Sequence, residues 1–190
     1  MSDQPIVVVS GLPRSGTSMM MRMLEAGGLP VLTDNVRTAD DDNPRGYYEF
    51  ERVKQIEKDQ EWLPGARGRA VKMISALLKH LPADYEYRVI FMQRDMGEIL
   101  ASQRQMLVRR GEDAVRIDDE EMARLFARHL SQVESWLAGR PGMDVLYVHY
   151  RDVLADTAAQ AARVNAFLGG RLDEQEMARV VDPALYRHRA

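Results

Sequence analysis

The chain of 190 residues contains no cysteine, which excludes disulfide bonds, a thiol nucleophile and a thiolate metal site. It has no run of about 18 apolar residues, so the sequence predicts no transmembrane helix. The first ten residues lack a basic region and a long apolar segment, which argues against a signal peptide, and we expect a cytoplasmic protein. The net charge of −3 provides no general basic field for holding nucleic acid.

Hydrophobic residues make up 45% of the chain and charged residues 29%, the balance of a globular protein, and the length fits one domain over residues 1–190. Short apolar runs alternate with segments of helical periodicity, which is typical of an α/β domain built on a central parallel sheet flanked by helices. We expect about five strands, at 6–9, 31–32, 70–74, 88–92 and 145–148. Helices are expected at 17–26, 49–62, 76–81, 96–109, 119–138, 157–168 and 173–181.

A glycine-containing turn follows the first strand, with the sequence Gly11-Leu12-Pro13-Arg14-Ser15-Gly16-Thr17-Ser18. Such a turn directs consecutive backbone N–H groups at one point, and the start of the next helix adds a partial positive charge. The glycine spacing, G-x-x-x-x-G, is that of a P-loop, which binds phosphate groups. An ordinary turn would not need arginine, serine and threonine around its second glycine. We therefore expect an anion site.

Two positions distinguish this turn from the P-loop of a kinase. A triphosphate-binding loop has lysine after its second glycine, whereas this chain has Thr17 there and carries its cation inside the loop, at Arg14. The apolar strand at 88–92 ends in Gln93 and Arg94, where a metal-binding aspartate would be expected. Because an arginine repels a divalent ion and attracts a second anion, we expect no metal.

Residues 6–20 resemble the 5′-phosphosulfate loop of the sulfotransferases that use 3′-phosphoadenosine-5′-phosphosulfate (PAPS). The family motif is P-[KR]-S-G-T-[ST], and Pro13-Arg14-Ser15-Gly16-Thr17-Ser18 matches it throughout. The resemblance implies a P-loop α/β fold of bacterial type and a PAPS donor that leaves as 3′-phosphoadenosine-5′-phosphate (PAP). It also implies that the 5′-phosphosulfate is held by Arg14, Ser15, Gly16, Thr17 and Ser18.

Residues 89–102 are similar to the family's 3′-phosphate segment, in which an arginine ends a strand and a serine follows eight residues later. Arg94 and Ser102 keep that spacing, so the resemblance assigns them to the 3′-phosphate. The alternatives are a salt bridge from Arg94 to Asp95 or Glu98 and a serine hydroxyl bonded to the carbonyl one turn earlier.

Residues 145–169 are similar to the family's strand, Y-E-D segment and following helix. This similarity implies that Tyr150 lies near the adenine, although Arg151 replaces the usual glutamate. The alternative is a tyrosine that only packs at a strand end. The tryptophan that stacks on adenine in the family is Met19 here. The family's late basic segment is also absent; Arg187 and Arg189 are candidate substitutes, and the alternative, which we favour, is a solvated terminus.

Sulfuryl transfer needs positive charge at the leaving oxygen and a base for the acceptor. Arg14 and Lys72 are the expected cations. The family's catalytic histidine, two residues after such a lysine, is missing. His80, His129, His149 and His188 have no motif spacing, and we expect His129 to be a core histidine with a partner.

Glu49 is the expected base, because Asn43-Pro44-Arg45-Gly46-Tyr47-Tyr48-Glu49 resembles an N-P-x-G-[YF]-x-E stretch of bacterial relatives. The alternative is that Glu49 only starts the following helix, where an acidic side chain favours the helix dipole. Asp34, in the same polar loop, is the second choice for the base.

The sequence thus predicts metal-free transfer of a sulfuryl group from PAPS to a hydroxyl or amine of a small-molecule or carbohydrate acceptor. The chain is shorter than most relatives, so a partner subunit in a homo-oligomer could complete the acceptor pocket. Two other functions stay open. A P-loop kinase is opposed by Thr17 and Gln93, and a non-catalytic PAP- or PAPS-binding protein is favoured by the missing histidine.

Overall fold

A four-stranded parallel sheet is the centre of the structure, a computed structural model that describes residues 4–34, 48–109 and 118–182. The strands lie in the order β2-β1-β3-β4, and every neighbouring pair is parallel. All six residues of the central strand β1 are buried, which explains its uninterrupted apolar and small composition. The strands are β1 (Ile6–Gly11), β2 (Ala70–Lys72), β3 (Tyr87–Gln93) and β4 (Met143–His149).

The expected strand at 31–32 is reduced to one bridge, between Val31 and Ala70, so the described residues form four strands rather than five. Pro30 gives a physical reason, because proline has no N–H and cannot extend the ladder toward the N-terminus. The neighbouring strand β2 also stops at Lys72, two residues earlier than expected. A 3₁₀ helix begins at Ser75 and takes the chain away from the sheet edge.

Helices occupy most of the positions that the periodicity predicts, with four differences, of which one is the unexpected short helix Leu63–Ala66. The expected helix at 49–62 is instead a 3₁₀ helix, Glu51–Gln55, followed by turns, and the stretch at 76–81 is also 3₁₀, Ser75–His80. The short helix that starts at Tyr150 was not expected. The α-helices are α1 (Thr17–Ala26), α2 (Leu63–Ala66), α3 (Met96–Arg109), α4 (Asp119–Ala138), α5 (Tyr150–Ala155), α6 (Thr157–Leu168) and α7 (Glu174–Arg179).

The break in the expected helix at 49–62 has a local cause. Arg52 makes two hydrogen bonds to the Asp59 carboxylate, from Nε at 2.6 Å and from Nη2 at 2.7 Å, which closes the segment into a loop. Trp62 then donates its ring N–H to the carbonyl of Asp59 at 3.1 Å. The apolar side chains at 50, 53, 56 and 62 are still directed at the core, so their spacing resembled that of a helix.

Two hydrophobic layers cover the sheet, and alternate residues of β1 feed each of them. Ile6 and Val8 belong to the layer with α2, α4 and the 3₁₀ helices, whereas Val7 and Val9 belong to the layer with α1, α6 and α7.

Because all four strands are parallel, their carboxyl ends meet at one edge of the sheet, where ligands of open α/β sheets bind. In the part of the chain that the structure describes, no helix is long and apolar enough to cross a membrane.

Candidate anion-binding site

The loop between β1 and α1 depends on both of its glycines, because each allows a close backbone approach. Gly11 has φ 147°, and a Cβ there would lie 2.6 Å from the carbonyl oxygen of Met92. Gly16 has φ 101° and precedes α1, and a Cβ there would lie 2.6 Å from the ring of Tyr150. No side chain could occupy either position without displacing its neighbour. The P-loop spacing in the sequence is thus matched by a sterically closed turn.

The polar groups of this loop are arranged as in an anion site. Arg14 has φ 69°, a left-handed conformation that costs energy for a residue with a side chain and is concentrated at ligand sites. Ser15 is 1% exposed, and within the described residues its hydroxyl is buried without a hydrogen-bond partner. Helix α1, described over its whole length, begins with no acidic residue in its first turn and no side-chain cap. Its N–H groups thus suit an anion.

Lys72 and Glu49 lie beside this loop, at the end of β2. Lys72 donates from Nζ to the hydroxyl of Ser18 on α1 at 3.3 Å, and the same nitrogen lies 4.0 Å from Oε1 of Glu49. The other oxygen of Glu49 lies 3.8 Å from Nζ of Lys54. Both Lys72 and Glu49 are largely buried, with side-chain exposures of 14% and 22%. A cation and a carboxylate therefore lie next to the expected phosphosulfate position.

The segment that carries Glu49 is fixed by contacts on both sides. The Glu49 carbonyl accepts hydrogen bonds from the N–H of Asp34 at 3.2 Å and from the hydroxyl of Thr33 at 2.9 Å. Tyr48, with φ 54°, donates its hydroxyl to Glu25 of α1 at 2.5 Å. Burial, together with this carboxylate, raises the pKa of Tyr48 well above its usual value, so the phenol stays protonated and remains a donor.

The hydrogen bonds of this segment are relevant to two alternatives, namely that Glu49 only starts a helix and that Asp34 is the base. The 3₁₀ helix starts at Glu51, not at Glu49, and the N–H of Glu51 is capped by the Asp34 carboxylate at 2.6 Å. Asp34 therefore performs the helix-start role that was the alternative for Glu49. This capping bond also engages the carboxylate of Asp34 itself, the second choice for the base.

The second anion segment contacts the loop directly. Arg14 donates from Nε to the hydroxyl of Ser102 at 2.9 Å, and Arg94 donates from Nη1 to the carbonyl of Arg14 at 3.0 Å. The hydroxyl of Ser102, 2% exposed, thus points at the loop and accepts a bond from 88 positions away in sequence. Arg94 also lies over the Tyr150 ring, with 4.3 Å between its guanidinium carbon and the ring centroid.

Every described site residue that the sequence predicts therefore lies around the loop at 11–18. Tyr150 is the first residue of α5, rather than part of a strand end, and is 7% exposed. The candidate substitutes Arg187 and Arg189, together with His188 and residues 43–47 of the glutamate motif, lie outside the described residues.

Sequence reasoning missed how Glu98 and Arg151 complete this cluster. Arg94 pairs with Glu98 through Nε at 2.9 Å, which was foreseen only as an alternative role for Arg94. Arg151 reaches the other oxygen of Glu98, 53 positions away in sequence. The first contact joins residues only four positions apart, Arg94 before α3 and Glu98 in its first turn, but nothing local signals the second.

Three further predictions concern His129, Gln93 and the binding of a metal ion. His129 of α4 lies 2.8 Å from the hydroxyl of Ser75, which gives it the partner expected of a core histidine. Gln93 donates to Glu134 at 3.2 Å. In the portion of the chain with a described structure, no three acidic or histidine side chains are grouped as metal ligands.

The chain is similar to known sulfotransferases. A family model described as a sulfotransferase domain matches residues 4–188. Mouse sulfotransferase SULT7A1, solved with PAP, is 18% identical, with a TM-score of 0.55 over 95% of this chain. Sulfotransferase STF1 from Mycobacterium tuberculosis is 16% identical, with a TM-score of 0.61, covering 93% of this chain and 70% of STF1. The sulfotransferase domain from the curacin biosynthetic pathway is 14% identical, with a TM-score of 0.58, covering 94% of this chain and 78% of that domain.

These structural similarities show a shared fold. The chain spans 62% of the mouse protein's length, which is less than two thirds. No curated protein sequence matches the chain.

Proposed function

The chain belongs to the sulfotransferase domain family, and we propose that it transfers the sulfuryl group of PAPS to a hydroxyl or amine of a small-molecule or carbohydrate acceptor. The observation that carries this proposal is the contact between the two anion segments, in which Arg14 of the loop donates to Ser102 of α3. A nucleotide with phosphate groups at both its 5′ and 3′ positions needs two such segments side by side. A mononucleotide without the 3′-phosphate needs only the first.

The chain's own groups fit that ligand. The Ser15 hydroxyl, which is buried and has no hydrogen-bond partner among the described residues, and the start of α1 suit the 5′-phosphosulfate, while Arg94 and Ser102 suit the 3′-phosphate. The adenine, in this proposal, lies next to Tyr150, whose ring Arg94 already contacts, in place of the missing tryptophan. When bound, PAPS supplies the sulfuryl group and leaves as PAP.

In this proposal the residues beside the loop carry the chemistry. Lys72 provides positive charge next to Ser18, where negative charge develops on the leaving 5′-phosphate, and Arg14 adds charge from inside the loop. Glu49 accepts the proton of the acceptor group, and its position next to Lys72 brings base and cation to the same place. The reaction then depends on positioning and charge, with no metal.

We also propose that residues 1–190 form one domain and that the protein acts in the cytoplasm. The chain spans 62% of the length of the mouse protein, and in this proposal a second copy in a homo-oligomer completes the acceptor pocket. A specific observation favours one other function, a non-catalytic PAP- or PAPS-binding protein. Ile74, 48% exposed, occupies the place of the family's catalytic histidine. Binding of PAPS without turnover for any acceptor would support that function.

A comparison of PAP with ADP, with and without Mg²⁺, tests the donor. We expect PAP to raise the melting temperature without Mg²⁺, and to raise it more than ADP at equal concentration, because Arg94 and Ser102 have no role with ADP. A ligand at 100 times its Kd stabilises the native state by about 2.7 kcal/mol. Equal shifts from PAP and ADP, or a shift from ATP that requires Mg²⁺, would contradict the proposal and favour a kinase.

Arg94→Ala should weaken PAP binding about tenfold or more, and ADP binding far less, because a charge-assisted bond to phosphate contributes about 1.5–3 kcal/mol. Calorimetric titration of both ligands measures the difference. Arg88→Ala is the matched control. Arg88 lies on β3, the strand that ends directly before Arg94, and it too bonds a backbone carbonyl and contacts an aromatic ring, both of Phe167. Equal weakening of the two ligands by Arg94→Ala would show that Arg94 is structural.

A further inference from the structure

The carboxylate of Glu98 is completely buried and binds two arginines at once. Its Oε2 accepts from Nε of Arg94 at 2.9 Å. Its Oε1 accepts from Nε of Arg151 at 2.9 Å and lies 2.7 Å from Nη2 of the same side chain. Glu98 is 0% exposed at its side chain, so these contacts replace water around the charge. One acidic group therefore fixes two guanidinium groups in neighbouring positions.

The side chains of the two arginines differ in solvent exposure. The side chain of Arg94 is 8% exposed and lies on the Tyr150 ring, whereas that of Arg151 is 56% exposed. Arg151 follows Tyr150 directly on α5, and its contact with Arg94 runs through the shared Glu98 carboxylate. The edge of Arg151 formed by Nε and Nη2 faces Glu98. The remainder of the Arg151 side chain is thus partly exposed, while its carboxylate partner is fully buried.

The net charge of Arg94, Glu98 and Arg151 is suited to a phosphate ligand. The two guanidinium groups and the single carboxylate of Glu98 together carry a net charge of +1. A phosphate monoester carries about −1.5 to −2 charges near neutral pH, and it is best matched by more than one arginine fork. The two guanidinium groups carry more N–H donors than the Glu98 carboxylate accepts, and this common carboxylate holds both groups in place before the ligand arrives.

We propose that Arg151 is a second arginine ligand of the 3′-phosphate of PAP and PAPS, and that Glu98 is the positioning residue of the Arg94–Arg151 pair. The proposal rests on the function proposed above. It makes the arginine that replaces the family's glutamate a determinant of nucleotide specificity.

Titration of wild type and Arg151→Ala with PAP and with ADP tests the ligand role. We expect the variant to bind PAP about three- to tenfold more weakly, while ADP binding changes less than twofold, because the lost contact is to the 3′-phosphate alone. The loss should shrink at high salt, since Arg151 is partly exposed. Arg124→Ala is the matched control, because Arg124 is an exposed helical arginine with one glutamate partner, and it should change neither ligand.

The outcomes separate this inference from the proposed function. If wild type does not prefer PAP to ADP, both are overturned. If wild type prefers PAP and Arg94→Ala removes the preference while Arg151→Ala keeps it, only the role of Arg151 is overturned. If Arg151→Ala weakens PAP and ADP equally, Arg151 is a structural residue. Should that variant fold poorly, Arg151→Gln keeps the length of the side chain, and the same outcomes apply.

Glu98→Gln tests the positioning role by the sign of its effect. Removing a negative charge beside a phosphate should tighten PAP binding if electrostatics alone matters. If Glu98 positions both arginines, the amide has only one acceptor oxygen for two guanidinium groups, and the preference for PAP over ADP should fall several-fold. Tighter PAP binding by the Gln variant would overturn the positioning role.

Discussion

Replacement of Glu49 by glutamine is expected to reduce turnover by about 10²–10⁴-fold while PAP binding and thermal stability barely change. The acceptor hydroxyl must lose its proton as it attacks sulfur, and glutamine keeps the size of the side chain but cannot accept that proton. Turnover is measured with PAPS and a panel of acceptor hydroxyls, and binding is measured with PAP. Slow PAPS hydrolysis can serve as a first assay, although water need not use the same base.

Glu51→Gln is the control for this variant. Glu51 lies two residues further on and forms an ion pair with Lys54 at 2.6 Å, and Lys54 is also near Glu49. It should therefore reproduce any general effect of removing a carboxylate from this segment without lowering turnover. If Glu49→Gln keeps its turnover with a true acceptor, Glu49 is not the base, and Asp34→Asn becomes the next variant to assay. A loss of stability with retained turnover would instead indicate a structural role for Glu49.

The parts of the site that sequence predicted are those encoded in short, continuous segments. The loop from Gly11 to Ser18 follows a buried strand, and its glycines are required by contacts with Met92 and Tyr150 that any side chain would violate. Arg94 could be placed because the end of a parallel strand always lies at the ligand edge of the sheet. Local chemistry and chain direction were enough for both.

The parts that sequence did not predict depend on contacts between distant segments. The turns that follow residue 55 replace a helix because Arg52 pairs with Asp59, and a periodicity of apolar residues does not distinguish that loop from a helix. The contact between Glu98 and Arg151 joins α3 to α5 across 53 positions. The contact between Glu98 and Arg151 depends on the pairing of β3 with β4 in the sheet, which no single segment encodes.

Glu98→Ala is expected to lower the free energy of unfolding by about 3–5 kcal/mol, the usual cost of leaving a buried charge without its partner. The uncompensated group is Arg94, whose side chain is 8% exposed. For a chain of this length the loss corresponds to a fall in melting temperature of about 6–20 °C. Chemical denaturation of the variant and wild type measures it, and a loss below about 1 kcal/mol would show that Glu98 is not needed to hold the cluster.

A double variant and an added anion identify the origin of that loss. Arg94→Ala combined with Glu98→Ala should be more stable than Glu98→Ala alone, because removal of both partners leaves no buried charge uncompensated. Inorganic sulfate should also restore part of the stability of Glu98→Ala by binding the two arginines, whereas sodium chloride at equal ionic strength should restore less. Equal recovery in both salts would point to general screening of charge. Recovery by sulfate alone would mean that a bound anion can take the place of the Glu98 carboxylate beside Arg94 and Arg151, as expected for a phosphate site.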